Sequence, residues 1–191
     1  LFEYYNQETV QTDKKVKGHV SAYFHNYIKR KDSHIQTALS ELKKIEDYKT
    51  NGRILEVGCA AGFFLEQAKE KGWDAYGVEP SENFAEYANN TLELNVKHGT
   101  LENNQFPDNY FDVVVHFDLI SHLTSPSKTF KIINKILKPN GLHYFRTGNK
   151  GELTKKSQGE KGEVWGVPEH LFHFSRKNTR LLLNETGFRT E

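Results

Sequence analysis

Apolar positions along this chain alternate between a helical rhythm of about 3.6 residues and short unbroken runs. The helical rhythm becomes clear from Gly18. Val20, Tyr23, Phe24, Tyr27 and Ile28 stand at i, i+3, i+4, i+7 and i+8, which predicts a helix with one apolar face. Asp32 and Ser33 look like a helix start, and Ile35, Leu39, Leu42 and Ile45 carry the stripe of a second helix closed by Asn51-Gly52. On that pattern Glu41, Lys43, Lys44 and Glu46 form its solvated face. Both helices precede the first strand and are expected to cap one end of the sheet.

The rhythm then changes. Ile54 to Val57 reads as a buried strand, and residues 63–71 follow as a helix. Trp73 to Glu79 is a second strand stopped by Pro80. Ser81 caps a helix carrying Phe84, Tyr87 and Ala88, and Asn95 to His98 is a short third strand. Tyr110 to Asp118 is the strongest strand signal, and its unbroken apolar centre implies burial on both faces, as parallel sheets require. Ser125-Pro126 opens a helix through Phe130, Ile133 and Leu137. Pro139-Asn140-Gly141 stops it, and Leu142 to Thr147 is a fifth strand. A last helix is expected near Asn178 to Thr186.

This alternation predicts an α/β fold: a doubly wound, mostly parallel, Rossmann-like sheet. Residues 1–50 are expected to form an N-terminal helical cap and residues 51–191 the ligand-binding domain. Two stretches break the pattern. Residues 1–17 have no clear period, although Tyr4 and Tyr5 stand out. Residues 148–166 interleave Gly148, Gly151, Gly159, Gly162 and Gly166 with Lys150, Lys155, Lys156 and Lys161, and a connection of that length and composition suggests a lid.

Composition bears on function more than on fold. With 26 Lys and Arg against 25 Asp and Glu, the chain has no charge surplus that suggests a nucleic-acid partner. One cysteine rules out an intrachain disulfide framework and fits a reducing compartment, so a cytoplasmic protein is expected. No apolar run approaches the roughly 20 residues of a membrane span. No signal peptide is recognisable in a sequence that begins at Leu1.

The chemistry centres on the turn after the first strand. Gly58 suits unusual backbone angles or a close approach, and the helix beyond Gly62 aims its N-terminus at whatever lies there. A tight turn without a ligand is the bland alternative. Glu56 ends a buried strand, where a carboxylate is costly without a partner. Its partner is either a ligand cation or a nearby base such as Arg30. Glu79 ends the second strand 21 residues after Gly58, where an acid can accept hydrogen bonds from both hydroxyls of a ribose. Phe117, Asp118 and Leu119 end the fourth strand at the crevice. Asp118 either orients a ligand there or caps a helix. Cys59 is more simply a small turn residue than a nucleophile. His170 and His173 lack a zinc-binding pattern such as HExxH, so no metal is expected.

Taken in order, several stretches resemble class I S-adenosylmethionine-dependent methyltransferases, in particular the small-molecule type related to ubiquinone-biosynthesis methyltransferases. They are Ile54-Leu55-Glu56-Val57-Gly58-Cys59-Ala60-Ala61-Gly62, Gly77-Val78-Glu79-Pro80-Ser81, Phe111-Asp112-Val113-Val114, Leu137-Lys138-Pro139-Asn140-Gly141-Leu142, and Pro168-Glu169-His170-Leu171 through Phe174-Ser175. The resemblance implies S-adenosyl-L-methionine as cofactor, S-adenosyl-L-homocysteine as product, and a small-molecule acceptor methylated on O, N or C. It implies that Glu56 meets the cofactor's ammonium group, directly or through water. Gly58, Cys59, Ala60, Gly62 and Pro80 would lie along the cofactor, Thr100 and Leu101 would flank the adenine after Gly99, and Phe117 and Asp118 would complete the set. His122 and His170 are the two candidates for a general base, with packing as the alternative for each. Tyr23 is placed to close over the acceptor.

Two features depart from the family's pattern. Ala60 stands where a third glycine is common, a substitution expected to be mild. The family's sheet normally gains two strands after the position of Phe188, and these are expected to be missing. Two other functions share parts of the pattern. A nicotinamide-dependent oxidoreductase would need G-x-G-x-x-G, which Ala60 between Gly58 and Gly62 does not meet, and its pyrophosphate would sit poorly beside Glu56. A non-catalytic binding module would keep the cofactor residues alone.

Overall fold

The computed structural model describes residues 14–148 and 171–190, with side chains from Ala22 onward. Two helices, α1 (Lys14–Lys29) and α2 (Lys31–Glu46), precede β1 (Arg53–Val57). Then follow α3 (Phe63–Glu70), β2 (Asp74–Glu79), α4 (Glu82–Asn90), β3 (Asn95–His98), β4 (Phe111–Phe117), a 3-10 turn (Ile120–His122), α5 (Pro126–Ile136), β5 (Leu137–Arg146) and α6 (Arg176–Glu185). The five strands run parallel in the order β3-β2-β1-β4-β5. The chain starts in the middle, winds out to β3, then crosses back to β4. That reversal opens a crevice beyond the carboxyl ends of β1 and β4, where open α/β sheets bind ligands.

Strand alternation sorts the core into two faces. Ile54, Val113 and Val115 point to the face covered by α2, α3 and α4, where Leu42, Ile45, Leu65 and Ala88 meet them. Leu55, Val114 and Val78 point the other way, against Ile133 and Ile136 of α5. Of the two early helices expected to cap one end of the sheet, α2 also lies along the sheet face. α1 and the start of α2 reach the carboxyl rim, where Phe24, Tyr27, Ile28 and Ile35 pack with Ala61, Phe63 and Phe84.

Two further details differ from the pattern. Glu41 is not on a solvated face: it is 5 % exposed, beside Ala38, Leu42 and Ile45. Spacing from Ala38 puts Glu41 within the apolar stripe, and Tyr144 and Arg146 of β5 supply its partners. Pro139-Asn140-Gly141 does not separate helix from strand. β5 begins at Leu137, and the turn residues form an irregularity between the pairs Phe111–Leu137 and Val113–Leu142. An interrupted ladder of this kind accommodates a proline that has no N–H to donate. Among the described residues no helix is long and apolar enough to cross a membrane.

Candidate cofactor site at the carboxyl rim

The turn after β1 is held by backbone hydrogen bonds. Gly58 and Cys59 both donate to the Val78 carbonyl, at 2.8 and 3.2 Å, and Gly62 donates to the Cys59 carbonyl at 2.9 Å. Gly62 opens α3 at φ 80°, and a Cβ there would meet Leu94 Cδ1 at 2.6 Å, so both backbone and space require glycine. Ala60 also lies in the left-handed region, at φ 45°. The substitution is thus less mild than expected, because an L-residue there costs roughly 1 kcal/mol or more. The Ala60 N–H donates to Glu79 Oε2 at 2.8 Å, which holds the strained residue in place.

Glu79 fastens the turn to the end of β2. Its Oε1 accepts from the Ser81 N–H at 2.8 Å, so each carboxyl oxygen holds one backbone donor. A carboxylate offers about four acceptor sites, which leaves room for two hydroxyl donors. Burial pushes its pKa up to about 7, against the pull of the Ser81 and Ala60 N–H groups and His98. Glu56 is 5 % exposed, and its Oε2 has no hydrogen-bond partner. Burial, and then the nearby Glu79 charge, push it well above the usual carboxylate range, with Arg146 opposing. Among the described residues no lysine or arginine forms an ion pair with Glu56, so the Arg30 alternative has no support. The two acids are therefore neighbours, and one presents an unsatisfied buried oxygen. That oxygen fits the ammonium end of S-adenosylmethionine.

Tyr27 on α1 lies above them. Its ring stacks on His34 at 4.0 Å and runs nearly parallel to Phe63 at 5.9 Å. Burial, and then Glu56, raise its phenol pKa. Tyr23, expected to close over the acceptor, is 58 % exposed. One helical turn further on, Tyr27 is the more buried of the two and the one whose phenol feels the Glu56 and Glu79 charges.

A cleft of about 150 Å³ adjoins the turn, with Val57, Gly58, Val78, Pro80, Leu101 and Leu119 among its walls. Thr100 and His122 line it too, as do Glu102 and Thr129. Five of the expected site residues, Gly58, Pro80, Thr100, Leu101 and His122, thus share one cleft. Glu56, Cys59, Ala60, Gly62 and Glu79 belong to the turn and its anchors beside it. Phe117 and Asp118 are not part of the cleft wall. Asp118 pairs with Arg146 Nη2 at 2.7 Å, while Arg146 Nη1 reaches Glu41 at 3.1 Å and the guanidinium lies over the Phe117 ring. Asp118 therefore joins a bridge between α2 and β5 and caps no helix. Nothing in the helical or strand periods marked Arg146 or Glu102 in advance. Cys59 is buried, its Sγ lies 3.8 Å from the Ala60 carbonyl, and burial followed by the Glu56 and Glu79 charges pushes the thiol up, so it is a turn residue and a poor nucleophile. His170 and residues 149–166 of the expected lid lie outside the described residues.

Comparison with known proteins agrees with this geometry. The methyltransferase domain family matches residues 23–191. A ubiquinone biosynthesis O-methyltransferase from Roseobacter denitrificans is 29% identical over 103 residues, covering 51% of this chain and 42% of that protein. A Coxiella burnetii protein of the same description is 28% identical over 116 residues, covering 57% and 50%. The chain thus spans half or less of the length of these curated relatives. Among solved structures, an S-adenosylmethionine-dependent methyltransferase from Thermotoga maritima, described as a possible histamine N-methyltransferase, superposes with a TM-score of 0.68 at 26% identity, covering 87% of this chain and 77% of that one. With the strand order, the glycine turn and its two acids in place, the chain belongs to the methyltransferase domain family and has the class I S-adenosylmethionine-dependent fold.

Proposed function

We propose that this protein is an S-adenosylmethionine-dependent methyltransferase acting on a small-molecule acceptor. The observation that carries this reading is the unpartnered buried oxygen of Glu56 beside Glu79 at the glycine turn. Glu56 would bind the ammonium group of the cofactor's methionine part. Glu79 would take both ribose hydroxyls while keeping its hold on Ala60 and Ser81. Thr100 and Leu101 would flank the adenine within the cleft, and residues 1–50 would act as a cap through α1 and Tyr27. When bound, the cofactor supplies a methyl group on a sulfonium, an electrophile that needs little covalent help. The protein's part is to orient the acceptor in line, which is worth up to roughly 7–11 kcal/mol of the barrier.

Relatives named O-methyltransferases favour a hydroxyl acceptor. A hydroxyl needs its proton removed, and the presence of His122 on the cleft wall supports it as the group that would take that proton. His170 is the second candidate. The oxidoreductase reading has no support in the family match, and the non-catalytic module is separated by experiment. Calorimetry should show binding of S-adenosylhomocysteine and none of NAD. Incubation with methyl-labelled cofactor and a metabolite extract should then label a small molecule. Binding without any labelled product would favour the module, and failure to bind S-adenosylhomocysteine would sink both readings.

A further inference from the structure

Arg146 ends β5 with several attachments and no part in the cofactor reading. Its Nη1 donates to Glu41 Oε1 on α2 at 3.1 Å, and its Nη2 donates to Asp118 Oδ2 just past β4 at 2.7 Å. The Asp118 N–H returns a bond to the Arg146 carbonyl at 2.9 Å, and the guanidinium lies over the Phe117 ring at 5.4 Å. A planar fork held by two carboxylates and a ring has little freedom to swing into solvent.

Register fixes the side to which it points. Glu56 pairs with Val115, Val115 with Tyr144, and Phe117 with Arg146. Paired residues of neighbouring strands share a face, and alternate residues along a strand return to it. Glu56, Phe117, Tyr144 and Arg146 therefore all project to the α2 side, where Val115, Phe117 and Tyr144 belong to one cluster with Leu42. Glu56 meets other ionisable groups there. Glu79 of β2, Cys59 of the turn and Tyr27 of α1 all interact with it, and each is an acid. Glu41 of α2 is engaged by Tyr144, Lys44 and Arg146. Glu66 of α3 pairs with Lys31, and His34 of α2 is stacked on Tyr27. Arg146 supplies the positive charge that opposes burial and Glu79 at Glu56.

We propose that Arg146 is a positioning residue: pinned by Glu41 and Asp118, its guanidinium lowers the cost of charging Glu56 when the ammonium group of the methyl donor arrives. The proposal rests on the methyl-donor reading above, with Glu56 as the ammonium partner. A neutral carboxyl accepts a weaker hydrogen bond from an ammonium group than a carboxylate does, so affinity follows the ease with which Glu56 ionises.

The test is titration calorimetry of S-adenosylhomocysteine on the full chain between about pH 6 and 8.5, with melting curves to show that each variant is folded. Arg146→Gln removes the charge. It should weaken binding about 10-fold at the acid end, the size of one unit of extra charging cost, with the loss fading towards the alkaline end. Arg146→Lys keeps the charge and should stay within about threefold of the unmodified protein throughout. In a Glu56→Gln background, Arg146→Gln should change affinity by less than about threefold at any pH, because no charge is left to tune. Asp118→Asn suits the left-handed φ of 52° and neutralises less of the guanidinium, so it should tighten binding about twofold at the acid end. Three outcomes would make Arg146 a structural clasp and overturn the proposal: a pH-independent loss in Arg146→Gln, a loss undiminished in the Glu56→Gln background, or Arg146→Lys as weak as Arg146→Gln. Should Arg146→Gln not fold, unchanged or weakened binding by Asp118→Asn overturns it instead. All of these leave the methyl-donor reading standing. An unmodified protein that binds no S-adenosylhomocysteine at any pH overturns both.

Discussion

Two pairs of buried ionisable groups lie on opposite faces of the same sheet. Glu56 and Glu79 sit at the carboxyl rim under Tyr27. His116 of β4 and His143 of β5 lie against α5 and α6, their rings 5.2 Å apart. Both pairs include nitrogen or oxygen atoms without partners: Oε2 of Glu56, and all four ring nitrogens of the histidines. The surroundings differ. Glu79 is held by two backbone N–H groups and adjoins an open cleft. The histidines are packed in aromatics: His116 stacks on Phe145 at 4.8 Å, and His143 lies 4.8 Å from both Phe130 and Phe188. Burial lowers both histidine pKa values, His116 to about 3, and the only charge acting on His143 is His116 itself. An orphaned buried polar atom therefore marks a site only where a ligand can reach it. On the aromatic face it is a cost carried by the fold.

Breaking the acid side should have the largest effect. Glu79→Ala removes the ribose acceptor and the anchor of the Ala60 turn together. S-adenosylhomocysteine affinity should fall by about 3 kcal/mol, the upper end for a lost charged hydrogen bond. Unchanged affinity in calorimetry would remove Glu79 from the site. Glu56→Gln keeps shape and loses charge. It should weaken binding by roughly 2 kcal/mol, with little change in the melting temperature of the empty protein, because Glu56 is already biased towards its neutral form there. A large loss of stability instead would make Glu56 a structural residue.

The pH dependences of the two pairs should run in opposite directions. Glu79 has a raised folded pKa, about 7, so its contribution to the empty protein's stability is present below the unfolded carboxylate value and is lost as pH rises through 7. Accepting two ribose hydroxyls while holding Ala60 and Ser81 needs the ionised carboxylate, so affinity should rise over that same interval, with proton release detectable in buffers of different ionisation enthalpy. The histidines have lowered folded pKa values, so their contribution is complete above about 6.5 and is lost as pH falls towards 3. At pH 5 the cost of His116 alone is about 2 kcal/mol, from 1.36 kcal/mol per unit. His116→Phe should recover most of that in urea unfolding at pH 5 and leave ligand affinity untouched. A change in affinity would tie the two faces together. The smallest effect is expected from Ala60→Gly, which relieves the left-handed strain and should stabilise the chain by about 1 kcal/mol, offset in part by glycine's extra freedom when unfolded.

The elements were legible because their signals are local. The run Ile54–Val57 and the turn to Gly62 are adjacent, and Glu79 closes a strand of its own, so short-range backbone geometry decides each of them. So Glu56, Gly58, Gly62 and Glu79 could be named from sequence, and so could the parallel sheet, whose unbroken Val113–Val115 run permits no solvent face. Contacts between distant parts of the chain were not legible. Glu41 looked solvated until Tyr144 and Arg146, more than 100 positions away, closed on it. Arg146 gained meaning only through Glu41 and Asp118, which pin it on the face that carries Glu56. Spacing gave Tyr23 and Tyr27 the same apolar face, and only the packing of α1 against Phe63 made Tyr27 the more buried one, within reach of the acids' charge. The sequence by itself determined which residues could bend, cap and carry charge, because those properties belong to each residue and its nearest neighbours. The tertiary structure alone decided which charges face a cleft and which are sealed, because burial and desolvation depend on what the rest of the chain brings alongside.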